Sequence, residues 1–163
     1  MTWFRRQQEN LKENLKPPAD DPDDSPEALL KVMFDRVHEV NLNAGKLPVA
    51  AVVVARRVLD AVREVVESNT ERPLDIHAVV AVRGILDDYL PTTLRAYLAL
   101  DPASVDTPSL SGRTPTQSLQ EQLETLWESA TDLLSAIRSQ DVNALLSQGN
   151  FLRTKFTRSD LDL

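Results

Sequence analysis

Apolar positions along the chain recur mostly at intervals of three and four, the period of a helix that buries one face. Within residues 3–15, Phe4, Gln8, Leu11 and Leu15 share a face and Arg5, Arg6, Lys12 and Glu13 lie elsewhere, which predicts a short amphipathic helix. Lys16-Pro17-Pro18 ends it, and Asp20, Asp21, Asp23 and Asp24 around Pro22 read as a solvated linker with no apolar face to bury. Ser25-Pro26-Glu27 then supplies an N-cap, a proline at the first helical position and an acid in the first turn. Leu29, Leu30, Met33, Phe34, Val37 and Val40 follow at helical spacing until Asn43, Gly45 and Pro48 stop the pattern. The β-branched run at 49–54 suits a strand on propensity alone. Its continuation argues for one helix, because Arg56, Arg57, Asp60, Arg63, Glu64 and Glu67 gather on one side while Val54, Val58, Leu59, Val62 and Val65 fill the other.

After a polar turn at 68–72, Pro73 restarts a helix whose inward stripe reads Ile76, Val79, Val80, Val82, Ile85 and Leu86. Pro91 removes a backbone donor and disfavours the α conformation at Leu90, so the helix is expected to break there and restart at once, with Leu94, Tyr97, Leu98 and Leu100 inward. Residues 101–114, rich in Pro, Ser, Thr and Asp, form the longest loop. From Pro115 or Thr116 the strongest pattern begins, Leu119, Leu123, Leu126, Ala130, Leu133 and Ile137, widened by Trp127 and Leu134. Asp141 caps a last helix carrying Val142, Leu145, Leu146, Leu152 and Phe156, which Gln148-Gly149-Asn150 is expected to interrupt. The prediction is an all-α fold, an antiparallel bundle of five or six helices over residues 25–156, preceded by a helix and linker at 1–24 and followed by a flexible tail at 157–163.

Composition narrows the chemistry more than it narrows the fold. The 163 residues include no cysteine, which removes disulfides, thiolate metal ligands and a thiol nucleophile and suits a reducing, cytoplasmic setting. A formal net charge of −7 opposes nucleic acid, so no nucleic-acid partner is expected. The longest purely apolar run, 49–55, falls well short of the ~20 residues that cross a bilayer, and the first residues show no export signal. Neither histidine, His38 or His77, has a second ligand at metal-binding spacing. The acids at 20–24 lack the Gly and terminal Glu of a calcium loop. Asp87 and Asp88 are the best paired carboxylates, and Arg83 and Arg95 beside them offer plain surface pairing instead of catalysis. With no phosphate cradle and no nucleophile beside a base, no catalytic residue, metal or cofactor is expected. A protein partner or self-association is expected instead, with membrane contact at most peripheral, through Trp3, Phe4, Arg5 and Arg6.

One stretch carries a resemblance, Asp88-Tyr-Leu-Pro-Thr-Thr-Leu-Arg-Ala-Tyr97, with the helices that flank it. It resembles the core motif of the family named for 5-bromo-4-chloroindolyl phosphate hydrolysis, the XpaC-like proteins, over about residues 75–156, the matching positions being Tyr89, Leu90, Pro91, Leu94 and Tyr97. The resemblance implies a helical accessory protein, some relatives being linked to toxic-anion or tellurite resistance, and implies no phosphatase mechanism. Read from the residues alone, Pro91 makes a bend flanked by the chain's two tyrosines, and Tyr89, Pro91, Arg95 and Tyr97 are the candidate ligand or partner site. The alternatives are a hydrolase of phosphorylated or anionic small molecules, drawing on Arg83, Arg95 and Arg113, and a peripheral membrane protein.

Overall fold

A computed structural model describes residues 22–68 and 73–157. The amphipathic helix expected at 3–15 and most of the acidic linker lie outside them. After a 3-10 turn, Pro22–Asp24, come α1 (Pro26–Asn43), α2 (Val49–Glu67), α3 (Ile76–Arg83), a π-helical segment (Gly84–Tyr89), α4 (Leu90–Leu98), α5 (Pro115–Arg138) and α6 (Val142–Thr157). Because α3, the π segment and α4 follow one another without a break, the fold is an all-α bundle of five rods, with no strand among the described residues.

The helix ends follow their chemistry. Ser25 Oγ accepts from Ala28 N at 3.1 Å, and Pro26 occupies the first helical position. Thr114 and Gln117 form a reciprocal capping box at the start of α5. The turn into α6 is a Schellman closure: Gln140 takes a left-handed φ of 55°, and Asp141 N donates to Ala136 O at 2.9 Å. Pro73 does not open α3; Asp75 does, its carboxylate accepting from His77 N at 2.8 Å.

The run at 49–54 is helical because burial outweighs propensity. Each valine costs about half a kcal/mol of helix propensity against alanine, whereas burying its side chain returns about 1.5 kcal/mol or more. Val52, Val54, Val58, Val62, Val65 and Val66 are all buried, and α2 packs principally on α5. Arg57 lies over the Trp127 ring at 5.6 Å, and Arg138 reaches Glu64 at 2.9 Å, about two turns further along α2 and three along α5, so the two helices run in the same direction. Chain neighbours run antiparallel around this pair; Arg56, for example, donates to Asn41 across the α1–α2 hairpin at 2.6 Å.

Several expected details differ. Gly149 does not interrupt α6, which is continuous from Val142 to Thr157. In α3 the core face is Ala78, Val79, Ala81 and Val82, while Ile76 and Val80 turn outward; apolar residues on both sides of a short helix gave the period no way to choose. Phe34, read as inward, is 60% exposed. The last residues of the acidic linker are held down: Asp24 pairs with Arg83 at 3.0 Å, and Asp23 O accepts from the same guanidinium.

Leu123 and Leu126 are fully buried on the face of α5 that meets the core. Leu123→Ala or Leu126→Ala is expected to lower the unfolding free energy by about 2–5 kcal/mol in urea titrations. A loss below about 0.5 kcal/mol would show that the seam is not packed as described.

Candidate functional site

The bend around Pro91 is a widened helical turn and not a break. Leu90 remains α-helical at φ −66° and ψ −52°, although a residue before proline is usually pushed to extended backbone. In a regular helix the Pro91 ring would press on the carbonyl four residues back. The π segment relieves this by spending one extra residue in the turn before it, and Leu90 N donates five residues back, to Ile85 O. Pro91 is itself buried, so the ring is part of the core.

The widened turn also sets Tyr89. A Cβ built on Gly84 would lie 2.6 Å from Tyr89 Cε2, so the ring rests directly against the glycine backbone. The same ring stacks on Phe156 with centroids 5.3 Å apart and planes 26° apart, which fastens the last turn of α6 to the bend. Burial, reinforced by the negative charge of Asp88, pushes the Tyr89 hydroxyl above its ordinary pKa of 10.0, with Arg153 pulling the other way.

Tyr97 serves the opposite side of the bundle. Its hydroxyl lies 3.2 Å from Thr116 Oγ1, which itself donates to Val105 O at 3.1 Å, so Tyr97 is the donor to Thr116. That chain ties α4 and α5 to the 101–114 loop. Arg95 is exposed and faces α1, its Nε 3.6 Å from Glu39 Oε1, while Arg36 holds the other oxygen of the same carboxylate. The four residues singled out in the sequence are therefore arranged around the rod: Tyr89 toward α6, Pro91 inward, Arg95 toward α1 and Tyr97 toward α5.

The remaining candidates are engaged in surface pairing. Arg83 spans Asp24 and Asp87; burial lowers its pKa, and the two carboxylates outweigh that and leave it above its ordinary value. Asp88 accepts from Thr92 at 3.1 Å. Arg113 pairs with Glu121. Among the described residues no group of three His, Asp or Glu side chains is placed to hold a metal ion.

Two hollows lie elsewhere. One, of about 210 Å³, sits under the 101–114 loop between Leu100, Ser104, Thr107, Arg113 and Ser118. The other, of about 160 Å³, separates α5 from α6 and is lined by Glu128, Ser129, Asp132, Gln148 and Phe151. Sequence reading flagged the loop and Arg113 but found neither lining, because the residues come from segments with no shared motif. It also passed over Gly84, whose one signal is its place five residues before a tyrosine. No known protein family, curated protein or solved structure matches the chain.

Gly84→Ala should gain about 1 kcal/mol of helix propensity yet destabilise the protein by about 1–3 kcal/mol net, because the new methyl displaces the Tyr89 ring from Phe156. In a Tyr89→Ala background the same substitution should become stabilising. Thermal unfolding of the four variants of this cycle checks the change of sign.

The raised pKa of Tyr89 predicts a loss of stability in alkali. Above pH 10 the unfolded chain gives up this proton while the folded protein keeps it, so unfolding is favoured increasingly until the folded pKa is reached. Tyr89→Phe should flatten that part of the stability curve relative to wild type. Parallel curves between pH 9 and 11 would show that the ring is not held as described.

Proposed function

We propose that this protein is a non-catalytic helical interaction module, an accessory protein that binds a protein partner through an exposed apolar helix face. The observation that carries the reading is at the closed end of the α1–α2 hairpin. Val49 and Val53, one turn apart on α2, are 80% and 42% exposed, and Leu42 on α1 is 70% exposed. The Arg56–Asn41 hydrogen bond joins the helices one turn from Val53 and next to Leu42 in sequence, which brings the three side chains to the same end of the hairpin. Lys46 and Arg56, both exposed, lie in the same short stretch of chain, 42–56. In a chain of net charge −7 such basic groups in the same stretch as exposed apolar side chains suit a partner helix with an apolar stripe and acidic flanks. The XpaC-like motif through Tyr89, Leu90, Pro91, Leu94 and Tyr97 supports placing the module in a cytoplasmic stress process such as toxic-anion resistance. No described helix is long and apolar enough to cross a membrane.

The test compares wild type with Val49→Glu/Val53→Glu, two exposed changes, after circular dichroism has established that both fold alike. A specific protein captured from the native cell should bind the double variant about tenfold more weakly or not at all. An identical set of partners for both proteins would overturn the reading. So would metal-dependent turnover of a chromogenic phosphate by the pure protein that falls on Arg95→Ala, an outcome that favours a hydrolase.

A further inference from the structure

A second apolar surface lies on the outer face of α3. Ile76 and Val80 are one turn apart and 49% and 61% exposed. The next turn of the same face carries Arg83, paired with Asp87 at 3.2 Å. It is to this arginine that the start of the described chain is fastened, through Asp24 and the Asp23 carbonyl. The described chain therefore begins beside the stripe on which Val80 and Ile76 stand.

We infer that the Ile76–Val80 face is the docking site of the chain's own segment 3–15, seated by the apolar positions Phe4, Leu11 and Leu15. The reach is ample. Ile76 lies seven residues before Arg83, about 10 Å along the helix axis, whereas residues 16–21 can span up to about 20 Å when extended. The pattern matches, since an apolar stripe one helical face wide meets an apolar pair one turn long. Charge favours it as well. Residues 1–16 carry four basic groups, Arg5, Arg6, Lys12 and Lys16, against two acids, Glu9 and Glu13, in a chain of net charge −7. On the α3 side Asp75 flanks Ile76 at one end; at the other Asp87 is offset by its pair with Arg83, and exposed Asp88 adds a further negative charge. This surface is distinct from the α1–α2 corner, so the inference stands or falls independently of the proposed partner.

The chain has no cysteine, which makes engineered pairs readable. In the full-length protein, Leu11→Cys or Leu15→Cys is combined with Val80→Cys or Ile76→Cys, and with Leu42→Cys as the control on another exposed site. All the receiving positions are exposed, so each variant should fold. At micromolar concentration a disulfide within the monomer should form about tenfold faster with Val80→Cys or Ile76→Cys than with the control. Equal rates for all three positions would overturn the inference. Disulfide-linked dimers in place of monomers would assign the α3 face to a second copy and overturn it too. If the pairs fail to link in buffer while wild type floats with phosphatidylserine vesicles and Leu11→Glu/Leu15→Glu does not, the segment belongs to a lipid surface and the inference fails.

Discussion

Everything in this bundle depends on the packing of α2 against α5. α2 presents small and β-branched side chains, Ala55, Val58, Val62 and Val65, which leave the helix surface nearly smooth. α5 brings Leu119, Leu123, Leu126 and Leu133, which are large and fully buried. Small residues on one helix let the long side chains of the other fit between them, which allows the close packing of the two helices. Two parallel helices cannot be adjacent in sequence through a short turn. The chain must therefore travel the length of the bundle between them, and α3, the π segment and α4 are that return path.

The return path carries an awkward proline, and the fold deals with it locally. Breaking the rod at Leu90 would have exposed backbone groups in the middle of the core, where each unpaired group costs about 1–3 kcal/mol. Widening one turn keeps the rod continuous despite the donor missing at Pro91 and rotates the following residues, so Leu90, Pro91, Leu94 and Tyr97 stay buried after the irregularity. The rotation also has an outward effect. It lays Tyr89 across Gly84, and there the ring becomes the seat for Phe156 of the last helix. One proline thus links the geometry of the third rod to the attachment of the fifth.

The charged groups that looked most like chemistry are occupied in holding surface segments together. Arg83 fastens the start of the described chain, Arg95 and Arg36 share Glu39, and Arg113 meets Glu121 beside the loop. These pairs are exposed or half-exposed and contribute little stability each, on the order of 0–1 kcal/mol. What they fix is position. Among the described residues these arginines are engaged with carboxylates, whereas exposed apolar side chains stand, among other places, at the α1–α2 corner and on α3, and apolar surface is suited to helices and not to small anions.

The sequence determined an all-α bundle and most of the helix ends, and left open whether five rods or six would form, a choice that turned on the bend at Pro91. Periodicity over long segments such as α2 and α5 reports burial directly, and Ser25, Thr114 and Asp141 are caps whose side chains act on their own neighbours. It also marked a bend at Pro91 within residues 88–97 but missed Gly84 and misjudged the form of the bend, because a π turn depends on whether the surrounding helices reward continuity, and local propensity speaks only for the break. The direction of α2 relative to α5, the outward turn of Phe34, Ile76 and Val80, and the scattering of Tyr89, Pro91, Arg95 and Tyr97 to different sides of one rod were decided by tertiary structure alone. Each depends on which neighbour covers which face. A pattern that is apolar on two sides does not contain that choice until the neighbours are in place.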